Sequence, residues 1–176
     1  MSFDKALQFV LAREGGYVDN PHDHGGATNQ GITQRTYNTF RAKQGLDFMD
    51  VRAISYSEIT AIYSANYWKV AGCNELPDPL DLVQFDSAVQ HGPHTAIKLL
   101  QRALRITDDG VLGAKTIGAV RSTEPSLLIR RYLDERKAYY AAIIAHDPSQ
   151  QAFATGWKAR MLALSDEVSD SDSQLA

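Results

Sequence analysis

The sequence contains a single cysteine, Cys73, among 176 residues, and this scarcity excludes an intramolecular disulfide bond. We interpret Cys73 as a small buried apolar residue rather than a nucleophile, because no sequence feature marks a partner for it. No apolar run approaches the roughly 20 residues that span a bilayer, and the N-terminus lacks the basic region and apolar stretch of a signal peptide. We therefore expect synthesis in the cytoplasm, no membrane insertion and no export by the chain itself.

A strongly basic stripe is also missing from this chain. The formal net charge is -3, and the last sixteen residues hold four acidic and no basic side chains, which leaves 18 bases and 17 acids before them. A nearly neutral body argues against a nucleic-acid binder. Residues 169–176 are polar and small, so we expect a disordered acidic tail.

The stretch from Glu14 to Thr33, EGGYVDNPHDHGGATNQGIT, is rich in glycine, acids and histidine. Its glycines and its Asp19-Asn20-Pro21 turn exclude a helix and predict a hairpin-like excursion. An amphipathic helix, Ser2 to Arg13 with Ser2 as N-cap, precedes it. Glu14 then faces the negative end of that helix dipole, which disfavours an ionised carboxyl and suits a general acid. The alternative is that Glu14 pairs with an arginine and the glycines only turn the chain.

The order of residues in this stretch resembles the opening signature of glycoside hydrolase family 108, the phage-type N-acetylmuramidases. The matching positions are Glu14-Gly15-Gly16-Tyr17, Asp23, Gly25-Gly26, Thr28 and Gly31-Ile32-Thr33. Further likeness lies in IYSANYWKVAG (62–72) and FDSAVQHG (85–92), while LLQRALRITDDGVLGAKT (99–116) and FATGWKAR (153–160) resemble the family's peptidoglycan-binding part. The chain departs from the pattern at Asp19-Asn20-Pro21, where the family has Asn-Asp-Pro, and at His24, where it has proline.

The resemblance implies lysozyme activity: hydrolysis of the β-1,4 bond between N-acetylmuramic acid and N-acetylglucosamine in peptidoglycan. Glu14 would protonate the glycosidic oxygen, and Asp23 would stabilise the developing positive charge or position water together with Thr28. The spacing also resembles the Glu, Asp, Thr constellation of phage T4-type lysozymes. Two structural alternatives remain, since Asp23 can cap the glycine turn and the Thr28 hydroxyl can satisfy local backbone.

Substrate contacts implied by the resemblance are at Tyr17, Gly25, Gly26, Gly31 and Trp68. Tyr17 lines the cleft or simply packs, and Trp68 stacks on a sugar or is an aromatic at the edge of the core. With no signal peptide, a wall hydrolase of this type would be a bacteriolytic, antimicrobial phage endolysin. It would stay in the host cytoplasm until a holin gave it access to the periplasm and the cell wall. We expect a monomer that needs no cofactor or metal.

The predicted fold is mainly α, with at most a small β-hairpin after the first helix, and its lysozyme-like plan is implied by the resemblance. Two prolines in Leu76-Pro77-Asp78-Pro79 indicate a boundary. We predict a catalytic lobe at 1–76, a helical peptidoglycan-binding part at 77–168 packed on it as one compact unit, and the tail at 169–176.

Helix signals follow the chain in order. Thr33 caps a helix from Gln34 to Lys43. Ser55 with Glu58 forms the capping box of a helix from about Ser57 to Val70, in which Tyr63 and Val70 have core-like spacing. The remaining predicted helices end near Gln90, Leu104, Val120, His146 and Glu167. In the longest of them, from Glu124 to His146, Arg136 is predicted on the solvent side among i,i+4 charge pairs.

Two other functions fit parts of the sequence. His22-Asp23-His24 and His91-x-x-His94 could serve a zinc amidase or peptidase, although no pattern brings the two histidine pairs together. The Leu99 to Thr116 region alone would suffice for a wall-binding module without catalysis, but such a module leaves the glycine-rich loop unexplained. Asp108-Asp109-Gly110 lacks the ligand spacing of an EF-hand, so we predict a turn there rather than a metal site.

Overall fold

The computed structural model shows the mainly α architecture that the sequence predicts. It describes residues 1–19 and 26–173, with side chains as far as residue 169. The described residues form eight α-helices and one two-stranded antiparallel hairpin. Two compact units divide the chain, one of Ser2–Asn66 and one of Met1 together with Tyr67–Ala176. None of the helices in the described ranges combines the length and hydropathy that crossing a bilayer requires.

The helix bounds follow the predicted caps closely. The elements are α1 (Phe3–Leu11), β1 (Thr28–Asn29), β2 (Ile32–Thr33), α2 (Gln34–Lys43), α3 (Tyr56–Tyr63), α4 (Leu80–His91), α5 (Pro93–Ala103), α6 (Ala114–Arg121), α7 (Pro125–His146) and α8 (Ala154–Ser173). Ser2, Thr33 and Ser55 each accept a backbone N–H bond at the start of α1, α2 and α3, which confirms the three predicted N-caps. Glu58 completes the predicted capping box.

One carboxylate ties α2 to α3 in the first unit. The Glu58 carboxylate accepts bonds from Arg41 at 2.7 Å and from the Tyr37 hydroxyl at 2.9 Å. Arg41 and Tyr37 are both buried, so their polar groups need this partner. The same carboxylate caps α3, and the start of α3 is therefore fixed to α2.

The predicted helix from Ser57 to Val70 is interrupted. After Tyr63 the chain continues as a π-helix, Ser64–Trp68, which shifts the register of the side chains that follow it. As a result Trp68 is buried at 4% exposure, whereas Val70, which the helical spacing placed in the core, is 57% exposed. The sequence prediction for Val70 is wrong for this reason.

The second unit is built around α4, which packs against α5 and α7. Every residue from Leu80 to Ala88 is buried, including several polar ones. Gln84, for example, donates to the Ala71 carbonyl at 3.1 Å and accepts from the Tyr132 hydroxyl at 2.6 Å. A helix surrounded on all sides needs such internal partners for its polar groups.

Asp86 of α4 is a fully buried carboxylate, and a buried charge must be paired and hydrogen-bonded. Its carboxylate accepts bonds at 2.8 Å from Arg136 of α7 and at 2.8 Å from Arg160 of α8. Asp86 and Arg136 are fully buried, and Arg160 is 8% exposed. The prediction that Arg136 lies on the solvent side of its helix is therefore wrong, because a partner 50 residues away in sequence draws the guanidinium into the core.

The C-terminal helix begins and ends later than predicted. α8 begins at Ala154, after a 3-10 turn at Pro148–Phe153, and continues to Ser173. It thus extends into the segment predicted as a disordered tail, because helical hydrogen bonds are local and continue without apolar burial. Residues 174–176 of that tail lie outside the described ranges. The domain boundary at residue 76 stays a prediction.

Removing the Asp86 carboxylate should destabilise the second unit strongly, because two guanidinium groups would be left in the core without their anion. We expect Asp86→Ala to cost about 3 to 5 kcal/mol of unfolding free energy, or roughly 6 to 20 °C in Tm for a chain of this size. Asp134→Ala is the control, because Asp134 pairs with Lys137 at an exposed site where the loss is about 0.5 kcal/mol or less. Equal Tm values for the two variants in thermal unfolding would contradict this account.

Candidate active site

Glu14 lies just past the C-terminal end of α1, as the sequence predicts. α1 ends at Leu11, and the Glu14 N–H still donates to the carbonyls of Val10 and Leu11, both at 3.2 Å. The residue is half-buried. The backbone of Glu14 is thus fixed by the last turn of the helix, while its carboxyl lies close to Gly31.

The hairpin β1–β2 approaches Glu14 through its turn. Thr28 pairs with Thr33 and Asn29 with Ile32, which leaves Gln30 and Gly31 as a two-residue connection. Both have positive φ, 50° and 72°, as in a type I′ turn, the connection that matches the twist of paired strands. The small hairpin predicted after the first helix is therefore confirmed.

Gly31 is the point where the site is tightest. A Cβ atom built on Gly31 would lie 3.0 Å from the Glu14 carboxyl oxygen and 2.5 Å from the Tyr63 hydroxyl oxygen. Tyr63, from α3, is 1% exposed and donates its hydroxyl to the Gln30 carbonyl at 2.8 Å. The turn, the carboxyl and the hydroxyl therefore converge on one glycine, where a larger residue does not fit.

Sequence reasoning did not identify Tyr63 as a site residue. Its helical spacing in α3 assigned it to the core, and its burial agrees with that assignment. The signal that could have found it is its position in the IYSANYW segment, which resembles a segment of the family. Its hydroxyl tip, rather than its ring, is what reaches the site.

Gly15 and Gly16 follow Glu14 directly in the chain. Among the described atoms, a Cβ at either glycine would meet nothing within 4 Å. The neighbouring Arg13 donates to the Phe9 carbonyl at 2.7 Å and lies over the Phe9 ring at 3.5 Å. Within the described part of the chain, the two positions after Glu14 therefore have space around them.

Tyr17 and Thr28 are held by local contacts. Arg52 donates to the Tyr17 hydroxyl at 2.7 Å and lies over its ring at 4.4 Å. Thr28 exchanges two backbone bonds of 2.8 Å with Val18, and its hydroxyl donates to the Gly26 carbonyl at 3.4 Å. The Thr28 hydroxyl thus has the local backbone role that we named as an alternative, and catalytic roles for Thr28 and substrate contacts for Tyr17 and Gly26 stay predictions.

Trp68 packs in the interior of the second unit. Its indole N–H donates to Asn74 at 2.6 Å, and its ring meets Phe85 edge to face at 5.3 Å. At 4% exposure the ring has no surface on which a sugar could stack, so the geometry favours the core role over the predicted stacking role. Asp23 and Gly25, which we also predicted in the site, lie outside the described residues.

The histidines of the zinc hypothesis are used in packing where they are described. His91 contacts the rings of Tyr139 and Tyr140 at 5.0 and 4.8 Å, and burial together with the Arg136 charge lowers its pKa to about 3. The His94 ring packs against Gly110. His22 and His24 lie outside the described residues, and the described ones contain no cluster of three metal-binding side chains.

Comparison with known proteins places this geometry in a family. The family model described as Glycosyl hydrolase 108 matches residues 7–92, and the model described as Predicted Peptidoglycan domain matches residues 95–162. The structure of Brucella abortus SagA is similar, with 36% identity over 94% of this chain and 92% of that chain and a TM-score of 0.77. No curated protein matches the chain.

The chain belongs to glycosyl hydrolase family 108, with a predicted peptidoglycan domain following the hydrolase segment. Glu14, Gly31 and Tyr63 all lie within the hydrolase match. The two matches together support a glycoside hydrolase that acts on peptidoglycan. The resemblance found in the sequence is thereby confirmed at the level of the family.

Gly31→Ala should impair catalysis far more than an equivalent change elsewhere. The added methyl group would displace the Glu14 carboxyl or the Tyr63 hydroxyl, and a misplacement of about 1 Å can cost on the order of 100-fold in rate. Gly45→Ala is the matched control, because Gly45 has a similar φ of 68° but a Cβ there meets nothing within 4 Å. Both variants bear the cost of a left-handed residue, about 1 to 2 kcal/mol.

The measurement is the turnover rate on purified peptidoglycan, with Tm recorded for each variant. Equal loss of activity in the two variants would show that backbone strain, rather than the position of Glu14, limits the reaction.

Proposed function

We propose that the protein is an N-acetylmuramidase of the lysozyme type, with Glu14 as its general acid. The observation that carries the proposal is the convergence of the Glu14 carboxyl, Gly31 and the Tyr63 hydroxyl. A half-buried carboxyl held against a fixed turn is suited to general acid catalysis. Family membership supports glycosidic bond cleavage as the reaction.

The Glu14 carboxyl delivers its proton to the oxygen of the β-1,4 bond as the C–O bond breaks. N-acetylglucosamine leaves with a new hydroxyl group, and positive charge develops at the anomeric carbon of N-acetylmuramic acid. Asp23 stabilises that charge or positions the attacking water, and Thr28 assists in holding the water. Tyr63 acts through the turn at Gln30 and Gly31, which it fixes by its hydrogen bond, so it is a positioning residue.

In the cell, we place the protein as a phage endolysin that lyses its bacterial host. It acts as a monomer, remains in the host cytoplasm until a holin permeabilises the inner membrane, and then reaches the periplasm and the wall. The resemblance of Glu14-Gly15-Gly16-Tyr17 and the segments after it to phage-type muramidases supports this role. Bacteriolytic and antimicrobial activity against a permeabilised bacterium would follow from it.

The products of digestion test the muramidase assignment. Purified peptidoglycan digested by the wild-type protein should carry new reducing ends on N-acetylmuramic acid, detected by borohydride reduction and mass spectrometry. Reduced N-acetylglucosamine ends would instead identify a glucosaminidase, and new peptide amines would identify a peptidase or amidase.

Dialysis against EDTA is the control for the zinc alternative. The carboxyl mechanism needs no metal, so digestion should proceed unchanged after chelation. Activity that is lost with EDTA and restored by zinc would show that the reaction depends on a metal, for which the histidines are the candidate ligands.

A further inference from the structure

A groove runs between α7 and α8 in the second unit, outside the site described above. Its volume is about 460 Å³, within the range of pockets that hold small molecules, roughly 300 to 1,000 Å³. Leu133 and Ile144 of α7 form one apolar wall, and Met161 and Leu162 of α8 form the other. Leu162 is 57% exposed, so the groove leaves a large apolar side chain in contact with water.

The groove has an aromatic floor that is already ordered. The rings of Tyr140 and Trp157 stack at 4.6 Å with 20° between their planes, and Phe153, 57% exposed, continues the stack at 6.2 Å. Behind this floor, Tyr140 packs against His91 at 4.8 Å, next to the buried Asp86 cluster. A binding surface held rigid by the core loses little conformational entropy when it takes a ligand.

The charge of the groove is positive. Lys137 and Lys158 both line it, and none of the described residues in its lining is acidic. Lys137 also pairs with Asp134 at 2.9 Å outside the groove, so the exposed Lys158 contributes the larger part of the unbalanced charge. A ligand that fits carries carboxylates together with flat or branched apolar groups.

We propose that this groove binds the peptide-bearing N-acetylmuramic acid unit of peptidoglycan. The carboxylates of the peptide stem pair with Lys158 and Lys137, and the apolar face of the sugar or the alanine methyl groups pack on Trp157. The Predicted Peptidoglycan domain match at 95–162 contains both lysines and the aromatic floor, which favours this occupant over a second copy of the chain. The inference rests on the proposed function in taking peptidoglycan as the polymer, but it does not depend on which bond the protein cleaves.

Sedimentation with purified sacculi tests the groove in the full-length chain. The parent is Glu14→Gln, chosen so that the wall is not digested while binding is measured. Trp157→Ala in this parent should weaken the Kd about tenfold or more, as for a central aromatic contact. Lys158→Glu should weaken it roughly three- to tenfold and reduce its dependence on salt. Lys115→Glu, an exposed lysine of α6 outside the groove, is the matched control and should bind like the parent.

The outcomes separate the possible occupants. The proposal would be overturned if Trp157→Ala and Lys158→Glu bound sacculi with the same Kd as the parent. It would also be overturned if the parent did not sediment with sacculi. A parent that is dimeric and becomes monomeric with Trp157→Ala would assign the groove to a second copy instead. Because Lys158 is exposed, its variant should fold normally, and an unchanged Tm confirms that its lost binding is local.

This experiment is independent of the muramidase reaction. Reducing-end release by the wild-type protein from soluble peptidoglycan fragments measures the proposed function separately. Groove-dependent sedimentation without such release would retain the binding site and reject the muramidase. Release of reducing ends without groove-dependent sedimentation would support the muramidase and reject the binding site.

Discussion

The carboxylate of Asp86 is enclosed between two arginines that approach it from α7 and α8. A buried carboxylate is tolerated only when it is paired and hydrogen-bonded, so α4, α7 and α8 must close around it together. Asp86 lies in the hydrolase match at 7–92, whereas Arg136 and Arg160 lie in the peptidoglycan match at 95–162. The boundary between the two family segments is therefore not a boundary between two cores.

A second constraint, steric rather than electrostatic, operates in the first unit. Gly31 has room for no side chain between the Glu14 carboxyl and the Tyr63 hydroxyl, and its φ of 72° independently favours glycine. The hairpin turn thus forms a surface against which the Glu14 carboxyl lies. In the proposed mechanism this contact orients the proton donor, and correct orientation is a large part of enzymatic rate acceleration.

Local features of this chain could be predicted from sequence, and features that depend on distant partners could not. Ser2, Thr33 and Ser55 cap helices through bonds to residues within three positions, so a short motif contains the whole interaction. The sequence pattern predicts Arg136 as a surface charge, because its partner Asp86 lies 50 residues away and only the structure brings the two together. Helical spacing correctly predicts that Tyr63 is buried, but it does not predict the contact of its hydroxyl with a carbonyl 33 residues away.

The central claim is that Glu14 delivers the proton in glycosidic cleavage, and the rate of the Glu14→Gln variant on purified peptidoglycan tests it most directly. The amide keeps the size of the side chain but has no acidic proton, so the account predicts a rate at least 100-fold lower, the usual range for general acid help being about 10² to 10⁴. Tm should stay at the wild-type value, and Glu75→Gln, at an exposed carboxyl, should remain fully active. A folded Glu14→Gln protein with more than about a tenth of the wild-type rate would contradict the account, because that loss is far below what general acid help supplies.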